Sequence, residues 1–121
     1  MAGHPIAHIE FASNDPQATS KFFADLFGWQ LQHAPEYDYT MFRAESGPGG
    51  GFVKADGTQN EAGDALVYVG TDDIEATLRQ VEALGGTVIV PKMEIPNTGW
   101  FAIFTEPSGA RVAIYSEMHA H

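Results

Sequence analysis

The 121-residue chain contains no cysteine. That excludes disulfide frameworks, thiolate metal sites and cysteine nucleophiles. Basic residues are scarce as well: six Lys and Arg stand against 16 Asp and Glu, for a formal net charge of −10. Nucleic acid is excluded as an ordinary partner, because phosphate neutralisation needs a Lys/Arg surface. The acidic balance has a plain reading as solubility and a sharper one as attraction of a cationic small molecule into an acidic cleft. No apolar run approaches the roughly 20 residues that cross a bilayer. Met1-Ala2-Gly3-His4-Pro5 lacks the basic segment and apolar core of a secretory signal. The expected location is cytoplasmic.

What the chain does have is a hydrophobic fraction of 44%, enough for a packed core. Its length fits one domain spanning residues 1–121. Ile6-Ala7-His8-Ile9-Glu10-Phe11 alternates as a strand, with His8 and Glu10 on one face and Ala7, Ile9 and Phe11 on the other. Asp15 is an N-cap and Pro16 the first helical residue of a helix that Gly28 ends. Ala18, Phe22, Phe23, Leu26 and Phe27 recur at helical spacing and read as one buried stripe, the Phe cluster as plain core rather than a ligand box. Strands are expected over 29–33 and 37–43, joined by a turn at Ala34-Pro35-Glu36. Ser46 to Gly51 reads as a flexible loop entering a short strand, Gly51 to Lys54. It lacks the Gly-Lys-Ser/Thr ending of a phosphate loop.

The second half follows the same plan. Ala65 to Val69 is a strand, and Asp72 or Asp73 caps a helix carrying Ile74, Leu78, Val81 and Leu84. With Asp72 as the cap, Glu75 would complete an acidic capping box. Gly85-Gly86 ends this helix, and Thr87 to Val90 is a strand closed by Pro91. Gly99 to Thr105 and Arg111 to Tyr115 are two more strands. Asp15-Pro16-Gln17-Ala18-Thr19 aligns with Asp73-Ile74-Glu75-Ala76-Thr77, and Leu26-Phe27-Gly28 with Leu84-Gly85-Gly86, all at one offset of 58. The expected fold is therefore α+β, two tandem βαβββ modules in a curved mixed sheet around a concave cavity, helices outside. Module one covers 4–55, a linker 56–63, module two 64–117 and a tail 118–121.

His8-Ile9-Glu10-Phe11-Ala12-Ser13-Asn14-Asp15-Pro16, the Phe22-Phe23…Leu26-Phe27-Gly28-Trp29 helix end, Asp73-Ile74…Ala83-Leu84-Gly85-Gly86 and Glu106-Pro107-Ser108-Gly109 resemble the vicinal oxygen chelate superfamily. That group includes glyoxalase I, extradiol dioxygenases, fosfomycin-resistance enzymes and bleomycin-resistance binding proteins, and the resemblance is to its glyoxalase-like branch. It implies paired modules, common dimers and, in metal-using members, a divalent metal held by equivalent strands. Carried over by position, the first ligand falls on His8, the second on Leu66 and the last on Ala113. Leu and Ala offer no donor, and a catalytic metal asks for about three protein ligands. The resemblance thus implies an incomplete metal set and no cofactor, with a divalent metal as the alternative.

His8 has three readings: metal ligand, general base or hydrogen-bonding group in a metal-free pocket, and cavity histidine with no role. Glu10 is either its partner or a solvated carboxylate. Tyr39, Met41, Tyr68, Trp100, Phe104 and Tyr115 are candidate ligand-binding walls, weighed against plain core. His119 and His121 form a chelating pattern, but in a terminal tail. Three functions follow. One is a small-molecule binding protein without the full metal site. The second is a glyoxalase-like lyase or related enzyme using His8 and Glu10 as acid/base pair or partial metal site. The third is a dimeric interaction module. Partners expected are a small molecule, with the acidic charge suiting a cationic one, and a second copy of the chain in a homodimer; neither nucleic acid nor membrane is expected.

Overall fold

The computed structural model describes residues 3–35, 39–57 and 60–118. Glu36 of the expected turn, the Tyr37-Asp38 start of the third strand, two linker residues and both tail histidines lie outside the described residues. Two compact units form: His8–Leu66, and Val67–His121 together with Met1–Ala7.

In the first unit the strands are β1 (Ile6–Ser13), β2 (Gln30–Ala34), β3 (Tyr39–Arg43) and β4 (Gly49–Lys54), with helix α1 (Pro16–Phe27) between β1 and β2. Their order in the sheet is β2-β3-β4-β1, with β1 parallel to β4 and the other neighbours antiparallel. Asp15 caps α1 through its carboxylate, which accepts from the Ala18 N–H at 3.1 Å. Gly28 closes the helix in the left-handed region, at φ 75°. The core beneath α1 is aromatic. Phe52, fully buried, lies with its ring centroid 5.3 Å from Phe42, 6.0 Å from Phe11 and 6.1 Å from Phe23.

Two expectations are corrected here. Of the five residues read as one buried stripe, only Phe23 packs inward; Ala18 is exposed, and Phe22, Leu26 and Phe27 are 61%, 59% and 57% exposed. The helix is rotated so that Thr19 and Ser20 face the sheet, and the Ser13 and Thr19 hydroxyls meet at 2.6 Å to hold that rotation. The glycine run is not a loop either. Gly49, Gly50 and Gly51 are strand residues of β4, in register with His8, Ile9 and Glu10. They are there because neighbours come too close for a Cβ, not because the chain bends freely. At Gly50 a Cβ would overlap the Ile9 carbonyl and meet the Phe42 ring.

The second unit repeats the connectivity with β5 (Ala65–Gly70), α2 (Ile74–Ala83), β6 (Thr87–Ile95), β7 (Gly99–Thr105) and β8 (Arg111–Glu117). The order is β5-β8-β7-β6, with β5 parallel to β8 and the rest antiparallel. Ile74 of α2 is buried against Ala102 and Ile114, flanked by Val69, Leu78, Trp100 and Phe104. Asp73 is the cap, accepting from the Ala76 N–H at 3.0 Å, so Glu75 completes no capping box with Asp72 and meets Lys92 instead. The Thr71 and Thr77 hydroxyls meet at 2.9 Å, the counterpart of Ser13 and Thr19 at the same offset of 58. β6 does not stop at Pro91. It runs on to Ile95 with register shifts between Val88 and Val90 and between Val90 and Met93. It is the last strand in its order, where a missing N–H and an irregular register are tolerated. The chain is thus α+β, two βαβββ units with mixed strand pairing, as the repeat implied.

Candidate functional site

Strand alternation decides which side chains leave the core. Phe11 of β1 and Phe42 of β3 join the aromatic cluster on the α1 side, their centroids 6.0 Å apart. His8 and Glu10 therefore point to the other side of β1, and Tyr39 and Met41 to the other side of β3. β4 lies between them, and Gly51 is in register with both Glu10 and Met41. The Tyr39 ring lies across Gly51 and reaches β1. Its hydroxyl donates to Glu10 Oε2 at 3.0 Å and sits 2.8 Å from His8 Nε2. The His8 and Tyr39 rings are nearly parallel, at 22°, with centroids 6.3 Å apart. All three side chains are half-buried.

This geometry assigns protons. A phenol has one O–H to give. With it given to Glu10, the short contact to His8 requires Nε2–H to donate to the Tyr39 oxygen, which makes Nδ1 the lone-pair nitrogen. Burial holds the imidazole below its ordinary value of 6.5, so the neutral form prevails at neutral pH. The arrangement can accept a proton or hydrogen bond at His8 and carries a carboxylate two residues away. The sequence pointed to His8 and Glu10 as a pair; it placed Tyr39 only in a wall, not as the bridge between them. The available signal was Gly51, a glycine within a strand.

The remaining expected site residues belong to the second unit. Tyr68 is in register with Ala113, on the side of the sheet away from α2. The Tyr115 hydroxyl donates to the Thr98 carbonyl at 3.3 Å; burial first, and the Glu117 charge second, raise its pKa. Trp100 and Phe104 pack against the Ile74, Ala102 and Ile114 cluster, on the α2 side. Alternation instead gives Phe101 and Ile103, in register with Tyr115 and Ala113, the side that Tyr115 occupies. Those two were missed, although their parity relative to small Ala102 marks them. A separate cleft of about 450 Å³ opens at the start of α1, lined by Asn14, Asp15, Pro16, Gln17, His33, Thr40 and Lys54. None of these is an expected site residue, and the cleft does not include the His8 cluster.

Of the three ligand positions that the resemblance implies, only His8 offers a donor atom. Leu66 and Ala113 carry no ligand atoms, and Gly51, the β4 residue beside Glu10, carries no side chain. Among the described residues no three His, Asp or Glu side chains gather where they could hold one ion.

The family model described as Glyoxalase/Bleomycin resistance protein/Dioxygenase superfamily matches residues 5–114. The chain is 29% identical over 129 residues to the anthracycline biosynthesis protein DnrV of Streptomyces peucetius, covering 90% of the chain and 46% of DnrV. The chain thus spans less than half the length of the curated relatives it matches. Methylmalonyl-CoA epimerase from Mycobacterium tuberculosis superposes with a TM-score of 0.76 at 10% identity, over 98% of this chain and 93% of that one. A superfamily member from Vibrio splendidus 12B01 gives 0.68 at 14% identity, over 90% and 96%. At such identities the likeness is one of fold.

Proposed function

The chain belongs to the Glyoxalase/Bleomycin resistance protein/Dioxygenase superfamily, and from that premise we propose that it binds a small organic molecule at the His8–Tyr39–Glu10 face without the family's full metal site. The observation that carries this reading is the hydrogen-bonded set itself: the Tyr39 hydroxyl donates to Glu10 and accepts from His8. A ligand there meets a neutral imidazole, a carboxylate and the Met41 side of β3, a few polar groups beside apolar surface, which is the composition of small-molecule sites. Glu10 and the net charge of −10 favour a cationic ligand. Within the second unit, Tyr68 and Tyr115 remain candidate ligand-binding residues. A second copy of the chain, in the homodimer that is common in this superfamily, is the protein partner proposed.

A second reading is favoured by one observation. Burial keeps His8 neutral and able to accept a proton at neutral pH, as a general base must. In a glyoxalase-like lyase or related enzyme, His8 would take a proton from the bound substrate and Glu10 would hold the polar set in place through Tyr39.

Thermal-shift and calorimetric titration with an anthracycline and with bleomycin test the binding reading on protein purified without a histidine tag. The expected result is a ligand-dependent rise in melting temperature that falls at least tenfold in apparent affinity in His8→Ala and Glu10→Ala. Elemental analysis of the same preparation is the counter-test. One equivalent of a divalent metal in the wild type, lost in His8→Ala, overturns the metal-free reading.

A further inference from the structure

We infer that Gly51 is a positioning residue of the site: its missing side chain is the space through which Tyr39 reaches β1 and couples His8 to Glu10. This deepens the reading above and rests on it for its functional meaning, though not for its geometry.

The three glycines of β4 differ in what a Cβ would meet. At Gly49 the nearest neighbour is the Phe42 carbonyl, at 2.7 Å, and at Gly50 it is the Ile9 carbonyl, followed by the Phe42 ring. Backbone closeness within the sheet explains both. Gly51 is different. The three nearest atoms are all in the Tyr39 side chain: its hydroxyl oxygen, Cζ and Cε2. The volume of a side chain at position 51 is occupied by the very end of the phenol that makes both hydrogen bonds. Gly51 is buried and has no positive φ, so neither solvent exposure nor backbone conformation calls for glycine there.

The consequence is specific. Tyr39 is a side chain with two rotatable bonds, and it can swing away from a new methyl group where a backbone carbonyl cannot. Gly51→Ala therefore folds, with the phenol displaced from the space between His8 and Glu10. The hydroxyl oxygen is the acceptor that holds the Nε2–H proton of His8; without it, that proton exchanges with water and the ring is no longer fixed. Tyr39 and Gly51 thus set which nitrogen of His8 carries the proton.

The experiment is long-range ¹H–¹⁵N NMR of the histidine rings at neutral pH in the wild type, Tyr39→Phe and Gly51→Ala, with circular dichroism and melting curves alongside. In the wild type, His8 shows an observable, slowly exchanging Nε2–H proton. In Tyr39→Phe that proton is lost to exchange. In Gly51→Ala it is lost to the same extent, although the hydroxyl is still present in the chain and the far-ultraviolet spectrum is unchanged. Adding Tyr39→Phe to Gly51→Ala produces no further change in the His8 signals, because the coupling is already absent. A merely structural glycine would lower the melting temperature and leave the Nε2–H proton in place, and that result in Gly51→Ala overturns the inference. The titrations with anthracycline and bleomycin report on the other reading. A wild type that shows the slow Nε2–H proton but binds neither probe retains the positioning role of Gly51 and removes the proposed ligands.

Discussion

Tyr39→Phe and Phe52→Ala each cut into an aromatic side chain on adjacent strands, yet they probe opposite faces of the first unit. Tyr39→Phe removes one oxygen that takes part in two half-buried hydrogen bonds. A net hydrogen bond is worth on the order of 1 kcal/mol, and the partners here keep partial access to water, so the expected loss is roughly 1–2 kcal/mol. Phe52→Ala removes a fully buried ring that touches Phe11, Phe23 and Phe42. That leaves a cavity, and the expected loss is about 3–5 kcal/mol. Urea unfolding of the two variants checks the ranking, and ligand titration checks the division of roles. Phe52→Ala has the larger cost in stability and spares affinity wherever the protein stays folded, whereas Tyr39→Phe has the smaller cost in stability and lowers affinity. Equal losses of stability would mean that the phenol is core and not site.

At the scale of the element, the strand-to-helix joint is the part of this fold most readable in the chain. Asp15 was visible as a cap and Asp73 as one of two candidates with Asp72, and the structure shows the same bond at Asp15 and Asp73, to Ala18 at 3.1 Å and to Ala76 at 3.0 Å. Replacing either by Ala leaves first-turn N–H groups without that acceptor and is expected to cost about 0.5–2 kcal/mol. Chemical denaturation of Asp15→Ala and Asp73→Ala checks this, and Asp72→Ala, not a cap, serves as the control with the smaller loss. Helix ends, strand alternation and the offset of 58 are local signals, so they were legible. What was not legible depends on residues distant in sequence. The glycines of β4 looked like a loop because the groups that exclude their side chains, Ile9, Phe42 and Tyr39, come from other strands. Phe22 and Leu26 looked buried because hydrophobicity was the only cue to the face of α1. The Ser13–Thr19 hydroxyl pair, which fixes the rotation, is polar. Trp100 and Phe104 were taken as cavity wall on aromatic character, while the parity of small, buried Ala102 puts them on the α2 side. For the site the outcome is similar: the His8 and Glu10 pair was readable from one strand, and the bridge that makes it a set was not.

For the whole molecule, acidification sets two effects against each other. Uptake of protons lowers the magnitude of the net charge of −10, which relieves self-repulsion and favours the compact state. His8 works the other way. Its folded-state pKa is held below 6.5 by burial, whereas in the unfolded chain it titrates near 6.5. As pH falls through 6.5 the unfolded state takes up the proton first, so the stability contributed by neutral His8 is present above 6.5 and is lost as pH drops toward the folded-state value. Salt separates the two, because repulsion between surface charges is screened within a Debye length of about 3 Å at 1 M salt, while the burial of one imidazole is not. In about 1 M NaCl the wild-type melting temperature is therefore expected to fall as pH goes from about 7.5 to about 5.5, and in His8→Gln the fall is expected to be smaller. Glutamine retains an N–H that can donate to Tyr39 but carries no titrating group. At low salt the wild-type fall is shallower, since the relief of repulsion offsets part of it. Identical pH slopes for wild type and His8→Gln in high salt would show that His8 is not the buried neutral imidazole on which the His8–Tyr39–Glu10 assignment depends.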